Sequence, residues 1–274
     1  MKRIVINADD FGYSKENNEA IKLGYQAGII TACSILTNTN GFEHAVDEIL
    51  PQISEIDLGF HFNIIEGKSL TNPSLLCDSK GYFNNNYLQL INKSKNPAFK
   101  TQIENEFRAQ IEKVLPFHTI SHVDSHVHTH AIPEIFKLIT NLAVEYDIKN
   151  IRTQKEIPYL VSKQSFNANY LVNFIKNILL NHYSNINIKT IHNKNIHTND
   201  YFIGVLYTGM MSEITIMQGL HKIIKDNSIT EIIFHPTIDK SKQNNYMEFQ
   251  ITQNPNFKKQ LENMGFTLTK FSGN

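Results

Sequence analysis

The sequence predicts one α/β domain, a distorted or incomplete (β/α) barrel. Short, almost continuous apolar runs alternate with amphipathic stretches, the pattern of buried parallel strands joined by helical crossovers. Aspartates and histidines recur where those runs end, at the rim where such folds bind ligands. The 274 residues show no internal repeat or linker-like tract. Their number suits one barrel, so 1–274 reads as a single domain.

The elements follow in order. Ile4, Val5 and Ile6 centre a buried strand over residues 3–8. Ser14 can cap a helix over about 15–27, with Gly28 as its stop. Residues 32–36 and 58–62 read as the next two strands. Residues 63–97 break the rhythm with Gly67, Pro73, Gly81, the Asn84-Asn85-Asn86 run and Pro97, and are expected to form a substrate-covering loop. A helix over 98–115 carries Ile103, Phe107, Ile111 and Val114 on one face. A strand over 119–125 follows, and Pro133 then opens a helix striped by Ile135, Ile139, Leu142 and Tyr146. A short strand is expected near 149–152. The Asn- and Lys-rich stretch 153–200 predicts one helix over 163–182 and a strand near 187–192. Residues 212–227 predict a helix with Ile216, Leu220 and Ile223 on one side, and 229–234 a strand ending at His235-Pro236.

The bulk properties exclude some classes. Hydrophobic residues make up 41% and charged residues 19%, an ordinary globular mix. Lys+Arg and Asp+Glu both total 26, which argues against nucleic acid or an anionic membrane as partner. Cys33 and Cys77 are the only cysteines and read as buried thiols in a reducing compartment. The apolar run after Lys2-Arg3 ends at Asn7, too early for a signal peptide, and no run is long enough to span a bilayer. A cytoplasmic protein is expected.

Chemistry concentrates at strand ends. In 121–130 the even positions are His122, Asp124, His126, His128 and His130, while Val, Ser, Val and Thr fill the odd ones between. Alternate residues of a strand share a face, and a buried ionisable face is costly unless it binds an ion or forms a network. Imidazole and carboxylate suit a borderline divalent ion; one or two of the five would bind it, and the rest orient ligands or face substrate. Asp9 and Asp10 end the first strand, where one carboxylate can hold a metal while the other reaches a water, a division suited to hydrolysis. His61 ends the third strand. Pro236 places His235 at the rim, as a general acid or substrate donor. Arg152 follows a short strand, either facing a carboxylate or sugar hydroxyl or lying on the surface. Nucleotide-binding, zincin and serine-hydrolase motifs are missing.

Asn-Ala-Asp-Asp-Phe-Gly at 7–12, Gly-Phe-His-Phe-Asn at 59–63, His-Val-Asp-Ser-His-Val-His at 122–128 and Glu-Ile-Ile-Phe-His-Pro at 231–236 resemble the YdjC-like carbohydrate deacetylase family, which includes chitooligosaccharide deacetylases. The resemblance spans about 3–240. It implies a distorted TIM-like barrel and removal of an N-acetyl group from a sugar or oligosaccharide. It also implies one divalent ion on Asp10, His61 and His126: Mg by resemblance, with Zn, Mn or Co acceptable to the same donors. A more distant likeness to polysaccharide deacetylases makes Asp9 the base and His235 the acid. Asp124 and His128 are then expected to orient ligands or grip the sugar, with His122 and Arg152 in the same supporting group. Tyr82, Phe83 and Tyr87 on the 63–97 loop read equally as a platform for a sugar ring or as ordinary loop packing. Thr237 departs from the glycine the family usually has after His-Pro. The rival readings are a metal-dependent phosphoesterase and a sugar-binding module without turnover. A small carbohydrate is the expected partner; oligomeric state is not legible, and a homodimer is allowed.

Overall fold

Among the described residues eight parallel strands form one curled sheet that closes partway into a barrel. They are β1 (Lys2–Phe11), β2 (Ala32–Ile35), β3 (Asp57–Phe62), β4 (His122–Ser125), β5 (Asn150–Ile151), β6 (Tyr201–Ile203), β7 (Ile229–Phe234) and β8 (Phe266–Leu268). The order is β5-β4-β3-β2-β1-β7-β6, with β8 added against the start of β1. The computed structural model describes residues 2–161, 168–192 and 194–273. Among the described residues eight α-helices cover the sheet: α1 (Lys15–Gln26), α2 (Tyr87–Lys93), α3 (Pro97–Val114), α4 (Pro133–Glu145), α5 (Ala168–Thr190), α6 (Glu213–Leu220), α7 (Gln243–Thr252) and α8 (Pro255–Asn263). This is the incomplete barrel that the strand pattern predicts. β5 and β6 stand at the two ends of the sheet. The gap between them is bridged by loop hydrogen bonds, from Phe202 N–H to Lys155 O and from Thr153 N–H to Asn199 Oδ1.

The helices form for the reasons the sequence offers. Ser14 caps α1 by accepting from Asn17 N–H, and Gly28 leaves it at φ +72°. Asn96 caps α3, with Pro97 at its first position. Its Phe99, Ile103, Phe107, Ile111 and Val114 are all buried, and Phe107 meets Phe60 of β3 edge to face at 5.0 Å.

Register sets the site. His61 pairs with Asp124 across β3 and β4, while β1 and β7 pair through Ala8 and Phe234. Asp9 and His235 therefore leave neighbouring strands side by side. β5 pairs with β4 as far as Ile151 and Val123, so Arg152 emerges beside Asp124.

Several expectations need correction. The strand expected near 187–192 is the last turn of α5 and the bend after it. The alternating strand ends at Ser125; residues 126–131 form a tight turn in which Val127 and His128 both have φ +54°. The helix expected over 212–227 stops at Leu220, and the 63–97 loop contains α2. The first residues of the helix expected over 163–182 lie outside the described residues. β6, β8, α7 and α8 had no counterpart in the sequence reading. Cys33 and Cys77 are buried free thiols. Among the described residues no helix is long and apolar enough to cross a membrane.

Candidate active site

The carboxyl ends of β1, β3, β4 and β7 meet at one cavity of about 300 Å³. Asp9, Asp10, His61, His126, His128 and His235 all line it. The Asp9-Asp10 pair sits where β1 breaks its register with β2, between Ala8 and Phe11. Asp10 takes φ +65°, so the bulge turns both adjacent carboxylates toward the same end of the barrel. Val127 at φ +54° is a rarer strain, because a β-branched side chain crowds the left-handed region. Strained residues on two rims of one cavity mark it as a built site.

Three donors converge there. Asp10 Oδ1 lies 3.0 Å from His126 Nδ1 and 3.4 Å from His61 Nε2, and the ligand atoms of the three residues all lie within 4.8 Å of one another. Donors about 2.1 Å from a shared ion stand roughly 3.0–3.4 Å apart in octahedral or tetrahedral geometry, so the spacing fits one small divalent cation. Each imidazole is held from behind by a carboxylate. His61 Nδ1 is 2.6 Å from Asp124 Oδ1, and His126 Nε2 is 2.9 Å from Glu66 Oε2. Such pairs leave the other ring nitrogen free as a ligand.

A second acidic group, Asp9, His61 and Asp124, has its charge answered by protein. Arg152 is buried and extends a fork to Asp9, at 2.8 and 2.6 Å. It also reaches Asp124 Oδ2 at 2.6 Å and Glu231 Oε1 at 2.7 Å. Asn7 Nδ2 donates to Asp9 Oδ1, and Ser34 Oγ to Asp124 Oδ2. The surface reading of Arg152 is thereby excluded, and it does not line the cavity. One guanidinium facing three carboxylates leaves a local anionic excess, which favours a cation nearby.

Protonation follows from these contacts. Burial alone would raise the Asp10 carboxyl, but hydrogen bonds from His126 and His61 outweigh it and hold it well below the usual range. Burial disfavours charge on His61, yet Asp124 and Asp9 push it up to about 10. His126, opposed by burial but bonded to Asp10 and Glu66, rises to about 9. Without a cation, then, protons fill the place a cation would neutralise. At His235, burial lowers and the Glu248 carboxylate raises, for a net rise to about 9. Its Nε2 lies 3.9 Å from Asp9 Oδ2.

The remaining histidines divide. His128 lines the cavity, is held well below its usual pKa by burial and by Arg152, and has no partner for Nδ1. His122 lies away from the cavity, ring to ring with Phe271 at 4.2 Å and bonded to Ser34, which in turn bonds Asp124. Gly59 makes room for it, since a Cβ there would stand 2.2 Å from His122 Nε2. His130 is buried against Ser125 and the Arg152 carbonyl. Of the loop aromatics, Tyr87 lines this cavity, Tyr82 lines a neighbouring one, and Phe83 is packed into the core instead. That neighbour is a polar groove of about 620 Å³ sharing His126 as its wall. Sequence reasoning missed Glu66, which touches both His126 and Tyr13 Oη, and the buried Glu231 and Glu248. The Glu-Gly step at 66–67 is the one local signal, and it reads only as a turn.

A family model described as YdjC-like protein matches residues 3–263. The chain is 36% identical over 148 residues to a carbohydrate deacetylase of Clostridium beijerinckii, an alignment covering 53% of this chain and 58% of that protein. It thus spans less than two thirds of that relative. It is 29% identical over 237 residues to a carbohydrate deacetylase of Listeria monocytogenes serotype 4b, covering 85% and 81%. For one of Vibrio parahaemolyticus the figures are 25% over 280 residues, covering 98% and 95%. In structure, it is similar to an Enterococcus faecalis V583 protein provisionally assigned to cellobiose-phosphate cleavage. The TM-score is 0.76 at 21% identity, over 99% of this chain and 98% of that one; this likeness shows the fold.

Proposed function

The chain belongs to the YdjC-like family, and from that membership and the geometry of the cavity we propose that it is a metal-dependent carbohydrate N-deacetylase. One observation carries the reading: a donor set that fits a divalent ion, Asp10, His61 and His126, shares its cavity with a second carboxylate and a further histidine, Asp9 and His235. Mere binding needs no such pair, which counts against a sugar-binding module. Carbohydrate deacetylase is also what the relatives in Clostridium, Listeria and Vibrio are named.

Asp10, His61 and His126 would hold the ion, with Mg the choice by family resemblance and Mn, Co and Zn compatible with the donors. When bound, it supplies Lewis-acid polarisation of the amide carbonyl and of the attacking water. The protein's own groups do the rest. The Arg152 fork and Asn7 fix the plane of the Asp9 carboxylate, which takes the proton of the attacking water. His235, charged at neutral pH through its contact with Glu248, donates a proton to the departing amine. Asp124 and Glu66 fix the ring orientations of His61 and His126. His128, which burial keeps neutral, lines the cavity and is assigned to contact the sugar. A phosphoesterase is less well supported, because Arg152 is consumed by three carboxylates.

The test is acetate release from N-acetylglucosamine oligomers, with Mg, Mn, Co or Zn restored after chelation. Release with at least one metal is expected, and its loss in Asp9→Asn with metal content unchanged. No acetate under any metal would sink the reading, and full activity in Asp9→Asn would remove that residue from the mechanism.

A further inference from the structure

The cavity that holds the reacting groups is far larger than an acetyl group needs. A water-sized group such as a methyl needs about 10–15 Å³ by the same measure, against the cavity's 300 Å³. Beyond the candidate ligands its walls are mostly apolar, with Leu179 and Leu180 from α5, Val205, Val127 and the Tyr87 ring, and Lys176 and Thr208 as the polar exceptions. Leu180 and Val205 belong to a packed cluster with Phe202 and Ile233, so this wall is built into the fold.

The polar groove lies on the other side of His126 and is lined by Lys15, Asn40, Lys68 and Tyr82, among others. The chain leaving His235 runs toward it: Ile238 N–H bonds the Glu16 carbonyl, and Lys242 Nζ lies 5.4 Å from the Tyr13 ring centre. Tyr13 lines the groove. The polar groove and the mostly apolar wall thus meet at His126, the one suited to sugar hydroxyls and the other to an acyl chain. Resting on the deacetylase reading above, we infer that the apolar cavity receives the acyl chain, and that the protein removes N-acyl groups longer than acetyl, of three to four carbons, from amino sugars.

The reaction keeps its balance. The water oxygen bonds the acyl carbon, the C–N bond breaks, the amine nitrogen takes a proton, and the acid leaves as butyrate where acetate left before. Nothing is oxidised. Burying one more methylene is worth about 0.8 kcal/mol, or about fourfold, so two added methylenes raise kcat/KM by roughly fifteenfold where both are enclosed.

The experiment compares metal-loaded protein on matched glucosamine disaccharides carrying one N-acetyl or one N-butyryl group, reading acid release. Butyrate release at a kcat/KM equal to or above that for acetate is expected. Acetate release with a lower kcat/KM for butyrate would overturn the inference, leave the deacetylase reading standing, and give the apolar cavity to the sugar instead. Release of neither acid would fail the deacetylase reading and this one with it. Leu179→Trp, which fills the cavity, should lower the butyryl-to-acetyl ratio at least fivefold. That ratio is internal to each protein, so a general loss of folded material does not move it; an unchanged ratio would overturn the inference.

Discussion

Replacing Arg152 by methionine removes the guanidinium while keeping most of the side chain's volume. Three buried carboxylates, Asp9, Asp124 and Glu231, then lose their shared cation. Removing one partner of a buried ionic cluster costs about 3–5 kcal/mol. For a chain near this size each kcal/mol moves Tm by about 2–4 °C, so a fall of roughly 6–20 °C is expected. The pH dependence has a definite sign. In the native protein Arg152 and His61 overcome burial and hold Asp124 far below its usual value. That depressed carboxyl contributes stability above its unfolded pKa of about 3.9, which is lost only as pH falls through the folded value. Without Arg152, burial is opposed at Asp124 only by its histidine neighbours, chiefly His61, and acts further on Glu231, which burial already pushes up to about 7. Raised carboxyls favour folding at low pH and lose that contribution as pH rises. Urea unfolding at pH 5 and pH 8 should therefore show a larger deficit at pH 8. A deficit under about 1 kcal/mol, or one equal at both pH values, would refute the view that Arg152 neutralises the cluster.

Other consequences are as definite. His61 and His126, raised to about 10 and 9, are protonated at pH 7.5 without a cation, and ligands must be neutral imidazoles. Metal uptake should release about two protons and tighten with pH by up to ~100-fold per unit; calorimetry in buffers of different ionisation enthalpy detects this, and uptake without proton release would contradict it. Glu66→Ala frees the back of His126 and should weaken metal binding about 10–100-fold while leaving the fold intact, as read by equilibrium dialysis and circular dichroism. Gly59→Ala drives a methyl into the His122 ring and should cost about 1–3 kcal/mol in urea unfolding.

The barrel and its rim were legible because apolar strands and strand-end Asp and His residues obey simple periodicities. Where the periodicity failed, so did the reading. In α5 the polar residues Asn173, Asn177, Ser184 and Asn187 are buried and bond interior groups, whereas Leu171, Ile175 and Ile178 face out. That inverts the usual helix pattern and hides its true extent. The even-residue face of 122–130 is a shared face only through Asp124. Beyond Ser125 the left-handed pair Val127 and His128 redirects the chain, which brings His126 to Asp10 but sends His130 into the interior. Arg152 was ambiguous because its partners Asp9, Asp124 and Glu231 come from three strands far apart in sequence. Glu66 was missed because nothing local shows that its loop folds back to His126.

The claim on which the account rests is that one divalent ion sits among Asp10, His61 and His126. Crystals equilibrated with Mn²⁺, and measured for anomalous scattering, would locate it directly. The account predicts one peak about 2.1–2.3 Å from the Asp10 carboxylate, His61 Nε2 and His126 Nδ1. A peak held by Asp9 and Asp124 instead, or none in this cavity at saturating metal, would contradict it.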